Sequence, residues 1–84
     1  MAELSGKRAL VTGAGSGIGL AIASKFVELG AQVMLSDINE ESVGKAAAEL
    51  GASSVRCDVT VSADVQAAIK ATTEAFGGID VLVN

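Results

Sequence analysis

Four glycines fall within seven positions of Thr12-Gly13-Ala14-Gly15-Ser16-Gly17-Ile18-Gly19, the densest chemical signal in the sequence. Such a loop lets several backbone N–H groups converge on one anion. A helix starting near Gly17 adds its unpaired first-turn amides and the positive end of its dipole. Together these groups hold a pyrophosphate without any Lys or Arg. A phosphate loop of the Walker type would need Gly-Lys-Ser/Thr at its end, and Gly19-Leu20-Ala21 does not provide it. The general G-x-G-x-x-G fingerprint is not met either, since counting from Gly13 ends on Ile18 and counting from Gly15 ends on Leu20. The spacing is T-G-x-x-x-G-x-G. The competing reading, a glycine-rich turn with no ligand, would give up backbone entropy at four positions with no packing in return.

Composition narrows the remaining chemistry. The 84 residues include no His, Tyr, Trp or Pro, so the chain has no imidazole base and no phenol acid. A single cysteine, Cys57, can form no internal disulfide and lacks the companions of a metal site; on a strand it reads as a small core residue. Six Lys+Arg against ten Asp+Glu give a net charge of −4, which offers no electrostatic footprint for nucleic acid or an anionic membrane. Lys7, Arg8, Lys25, Lys45 and Lys70 are scattered and read as solvated. The apolar runs fall far short of the roughly 20 residues that span a bilayer, and Met1 to Gly6 show no basic and apolar leader pattern. A cytoplasmic location is the expectation.

The elements that must position the loop follow from apolar spacing. Arg8 to Thr12 is a strand-length run stopped by Gly13, and Ile18, Ile22, Phe26 and Leu29 then fall at helical spacing up to Gly30. Ala31 to Ser36 forms a second strand ending at Asp37. Asn39 is a candidate N-cap for a helix whose Val43, Ala46, Ala47 and Leu50 share one face, closed by Gly51, with Gly44 inside it costing about 1 kcal/mol against Ala. A third strand runs from Ser53 to Cys57. Ser62 is expected to cap a further helix with Val65, Ala68, Ile69, Thr72 and Phe76 inward, closed by Gly77-Gly78. Asp80 to Asn84 forms the fourth strand, with Asp80 capping a turn. Strands alternating with helices predict an α/β fold, consecutive β-α-β units in a parallel sheet. No linker or internal boundary divides the chain. The chain stops at Asn84, in a strand of the type buried on both faces, so the sequence reads as the front part of a longer protein.

Thr12-Gly13-x-x-x-Gly17-x-Gly19 resembles the cofactor motif of the short-chain dehydrogenase/reductase family, whose members have a Rossmann fold, a doubly wound parallel sheet. Three more positions agree: Asp37 at the end of the second strand, Asp58-Val59 at the end of the third, and Leu82-Val83-Asn84, which is similar to the opening of the family's Asn-Asn-Ala-Gly segment. The resemblance spans all 84 residues and matches about the first third of a family member, making 1–84 the N-terminal part of one NAD(P)-binding domain. It implies the strand order 3-2-1-4, with the crevice between strands 1 and 4 beside the glycine loop. Thr12, Gly13, Asp37, Asp58 and Asn84 each follow a strand's C-terminal end, where open α/β sheets place ligands.

The residue roles follow from the same resemblance. Gly13, Gly15, Ser16, Gly17 and Gly19 would line the pyrophosphate, and Ile18 would offer its backbone N–H while its side chain packs inward. Asp37, 24 residues after Gly13, stands near the spacing at which a carboxylate accepts from the adenosine ribose hydroxyls, and its charge would repel a 2′-phosphate. Family members that use NADP carry a basic residue just before the second motif glycine or just after the second strand. Ser16 and Ile38 stand in those places, so NAD is expected over NADP. Asp58 and Val59 would meet the adenine, and Asn84 would lie near the nicotinamide ribose. The family's catalytic set includes Tyr-x-x-x-Lys on a later helix, and none of it can be assigned here.

The expected function is the cofactor-binding part of an NAD-dependent oxidoreductase that moves hydride between nicotinamide and an alcohol or carbonyl substrate. The 84 residues by themselves would be inactive, the substrate would be met only by the longer parent, and a homo-oligomer is implied. The alternative is a minimal nucleotide-binding module with no chemistry.

Overall fold

Seven elements alternate along the chain: β1 (Arg8–Val11), α1 (Gly17–Glu28), β2 (Gln32–Asp37), α2 (Glu40–Leu50), β3 (Ser53–Arg56), α3 (Ser62–Phe76) and β4 (Val81–Val83). The computed structural model describes residues 3–84; Met1 and Ala2, part of the opening segment read for a leader, lie outside them. The four strands form one parallel sheet in the order β3-β2-β1-β4, the order that the family resemblance implies. Leu10 stands opposite Met34 on one side and Leu82 on the other, and Val11 opposite Leu35 and Val83.

Alternation along the strands divides the core into two layers. Val11, Val33 and Leu35 point to one face and pack with Ala14, Ala23, Val43, Ala46 and Ala47, supplied by the glycine loop, α1 and α2. Leu10 and Met34 point to the other face and meet Cys57 and Ala68, flanked by Val55, Val65, Phe76 and Ile79. Helices therefore cover both faces of β1 and β2, whose inner residues are buried throughout, as a parallel sheet requires. Cys57 is 2% exposed, in keeping with its reading as a core residue. Among the described residues no helix is long and apolar enough to cross a membrane.

The helix ends match local chemistry in part. Asn39 caps α2, its side-chain oxygen accepting from the Ser42 N–H at 3.0 Å, and Gly51 ends that helix at φ 68°. Ser62 does not cap α3. Val61 occupies the cap position without a side-chain bond, and Ser62 is the first helical residue. Ile69 is 37% exposed, at the margin of the apolar face rather than within it, while Ala68 and Thr72 lie fully inside. With a turn of about 100° per residue, position 69 falls at the edge of the stripe centred on Ala68 and Thr72.

Arg8 and Asp80 correct the expectation of a solvated cation and a turn cap. The Arg8 guanidinium donates from Nε to Asp80 Oδ2 at 2.9 Å and from a terminal nitrogen to Oδ1 at 3.1 Å. The Arg8 backbone N–H donates to the same carboxylate at 2.9 Å, and the Asp80 N–H donates back to the Arg8 carbonyl at 2.8 Å. This clasp closes the entry of β1 onto that of β4. The guanidinium passes over Gly78, where a Cβ would stand 2.8 Å from it.

Candidate functional site

β1, β2 and β3 end at one edge of the sheet and deliver the glycine loop, Asp37 and Asp58 to a common rim. A cleft of about 160 Å³ opens there, lined by Gly13, Asp37, Ile38, Cys57, Asp58 and Val59. It lies on the β2 side of the glycine loop, whereas the expected crevice was between β1 and β4. At the β1/β4 junction Thr12 draws the strand ends together. Its N–H donates to the Val83 carbonyl at 2.9 Å, and its hydroxyl lies 3.2 Å from both that carbonyl and Asn84 Oδ1. A larger hollow of about 290 Å³ lies at the opposite edge between Val27, Gln32, Ser53 and Phe76. It gathers no charged side chain, whereas the smaller one carries Asp37 and Asp58.

The loop is built to expose main chain. Gly13 and Gly17 take left-handed conformations, φ 62° and 59°, and a Cβ on either would meet nothing within 4 Å, which leaves the space above the loop free for an approaching group. Gly19 serves the opposite purpose: a Cβ there would overlap the Gly13 carbonyl, so α1 can pack this close only through glycine. Ser16 is the extended N-cap of α1, at φ −165°, and its side chain makes no capping bond. The first-turn amides thus face outward without a side-chain acceptor. Ile18 corrects its predicted orientation. Its side chain is 81% exposed, because the second residue of α1 points away from the sheet, beside the mouth of the loop.

Asp37 closes the β2 end onto the loop. Its Oδ2 accepts from the Gly15 N–H at 2.9 Å and its Oδ1 from the Asn39 N–H at 3.1 Å. Ile38 and Val59 follow the strand ends with exposures of 56% and 57%, two apolar residues that line the cleft. Asp58 Oδ1 accepts from the Thr60 hydroxyl at 2.6 Å and the Thr60 N–H at 2.9 Å, and those two donors hold its carboxyl below the usual carboxylate range. Burial raises the Cys57 thiol above its ordinary value, with the Asp64 and Asp58 charges adding to the effect. The thiol stays protonated at neutral pH and is a packing group.

The sequence reading did not single out Asp64, and it gave Asn39 only a capping role. Asp64, in the first turn of α3, accepts from the Asp58 N–H and from Arg56, each at 3.1 Å, and so fixes the turn that carries Asp58 and Val59. An acid three residues after a helix cap was the available signal. The Asn39 N–H steadies Asp37, while its side chain caps α2.

A parallel sheet in the order β3-β2-β1-β4, with a glycine loop opening α1 and a carboxylate at the end of β2, defines a Rossmann-type dinucleotide-fold protein. Comparison with known proteins agrees. The family described as short chain dehydrogenase matches residues 7–84, and the chain belongs to it. An uncharacterized oxidoreductase of Mycobacterium bovis is 47% identical across 96% of this chain and 34% of its own length. D-threitol dehydrogenase of Mycolicibacterium smegmatis is 49% identical across 98% of this chain and 34% of its own. Among solved structures, a 3-ketoacyl-(acyl-carrier-protein) reductase of Brucella melitensis complexed with NADH superposes with a TM-score of 0.93 at 41% identity, over 95% of this chain and 34% of that one. A hydroxysteroid dehydrogenase of Escherichia coli gives 0.94 at 38% identity, over 96% and 35%. The chain thus spans about a third of the length of the relatives it matches.

Proposed function

We propose that these residues form the cofactor-binding part of an NAD-dependent short-chain oxidoreductase acting on an alcohol or carbonyl substrate. The observation that carries the reading is the Asp37 carboxylate held against the glycine loop, with no basic residue at either Ser16 or Ile38. The residues fit a dinucleotide. The open space over Gly13 and Gly17 suits a pyrophosphate approaching bare main chain, and the uncapped amides from Gly17 to Gly19 would donate to it. Ile38 and Val59 would flank the adenine, Asp58 would accept from its exocyclic amine, and Thr12 and Asn84 would border the nicotinamide half. Bound there, the nicotinamide would supply the hydride chemistry, and the Asp37 charge would turn away a 2′-phosphate.

Asp37→Ala combined with Ile38→Arg tests the assignment. Losing hydrogen bonds to a charged group costs about 1.5–3 kcal/mol, so NAD should weaken roughly ten-fold or more while NADP gains. Titration of both cofactors reads the ratio, and an unchanged ratio removes Asp37 from the ribose.

We also propose that residues 1–84 are the front part of one domain, supported by their spanning only a third of each relative. An open reading frame continuing past codon 84 to a Tyr-x-x-x-Lys sequence is the expected finding. A natural stop at that point would favour the non-catalytic nucleotide-binding module instead.

A further inference from the structure

Gly15 differs from its neighbours in the loop. Its φ is not in the left-handed region that Gly13 and Gly17 occupy, and no main chain crowds it as the Gly13 carbonyl crowds Gly19. What crowds it is one side chain. A Cβ at position 15 would stand 2.9 Å from Asp37 Oδ2, 3.1 Å from its Cγ and 3.3 Å from its Cβ. The same carboxylate accepts the Gly15 N–H at 2.9 Å. It cannot swing aside freely, because its other oxygen is held by the Asn39 N–H at 3.1 Å and its Cβ shares the close approach.

We infer that Gly15 is the positioning residue for cofactor selection: its missing side chain lets the Asp37 carboxylate lie against the loop where it accepts a ribose 2′-hydroxyl and refuses a 2′-phosphate. This rests on the reading of Asp37 as the ribose carboxylate. The chemistry is that of a carboxylate with about four acceptor positions. The Gly15 and Asn39 amides take two of them and fix the plane of the group. Asp37 lines the cleft, and its remaining two positions are left for the sugar hydroxyls. A methyl group at position 15 pushes the charge outward, so the hydroxyls lose aligned acceptors and a 2′-phosphate meets less repulsion.

The test uses the protein expressed from its complete reading frame, titrated with NAD and with NADP as wild type, Gly15→Ala, Asp37→Ala and the double variant. Gly15→Ala is expected to lower the preference for NAD about ten-fold, the effect of misaligning a hydrogen bond to a charged group. In the Asp37→Ala background the same substitution should lower it no further, since the side chain it acts through is gone. Should Gly15→Ala fail to fold, the double variant is expected to fold, having lost the crowding partner; its failure would overturn the inference. So would an equal loss of both cofactors in Gly15→Ala, or an unchanged ratio there while Asp37→Ala collapses it, which leaves the ribose role of Asp37 standing. An unchanged ratio in Asp37→Ala instead overturns that role and the inference together.

Discussion

Aspartate carboxylates accept most of the side-chain hydrogen bonds among the described residues, and the donors around each one set its behaviour. Asp80 receives three donors from Arg8, two from the guanidinium and one from the backbone. The Arg8 side chain and then its N–H hold the Asp80 carboxyl at about 2, against 3.8 for an ordinary aspartate. The folded form therefore binds the proton less readily than the unfolded form. The clasp contributes stability in full above the unfolded value and loses it as pH falls from about 4 towards 2. Asp80→Asn should destabilise the fold near neutral pH, with the difference from wild type shrinking through that acid window. Denaturant titrations across pH check this, and a difference constant down to the acid limit would show that Asp80 acts otherwise. None of this clasp was legible in the sequence, because Arg8 and Asp80 lie 72 positions apart and nothing local pairs them.

At the scale of the elements, periodicity carried nearly everything. All seven appear where the apolar spacing puts them, since a period near 3.6 or of 2 is a local property of the chain. The misplacements are confined to ends and margins: Ser62 as a cap, and Ile18 and Ile69 as inward residues. A helix shifted by one residue at its start moves the cap, and a residue at the edge of an apolar stripe turns outward. Gly44 inside α2 and Gly51 at its C-cap separate propensity from conformation. Gly44 sits mid-helix, where an added methyl group would meet nothing within 4 Å, whereas Gly51 holds φ 68° at the C-terminus with equally open space. Gly44→Ala should therefore stabilise the protein by about 0.5–1 kcal/mol through the unfolded chain. Gly51→Ala should cost about 1–2 kcal/mol, the penalty for a Cβ in the left-handed region. Opposite shifts of the thermal midpoint check the pair, and shifts of the same sign would refute the account.

For the whole molecule, the sheet is covered unevenly. β1 and β2 are enclosed on both faces, but β4 pairs only with β1, and its Leu82 is 49% exposed. Its outer edge has no strand partner among the described residues, so its backbone donors and acceptors are a template for another chain. The 84-residue polypeptide is predicted to associate in a concentration-dependent way, and Leu82→Lys to reduce that association. Sedimentation velocity reads both, and a wild-type chain that stays monomeric at every concentration would contradict it.

By itself the sequence determined the alternation of strands and helices, their parallel direction, the burial of Cys57 and the glycine loop at the head of α1. Those are set by local spacing and by glycine's backbone, which act wherever they occur. Only the tertiary structure decided what the polar groups meet: Asp37 on the Gly15 amide, Thr12 on Asn84, Asp64 behind Asp58 and Arg8 on Asp80. Hydrogen bonds require both partners within about 3 Å and in line, and separations of 22 or 72 residues are closed only once the sheet has formed.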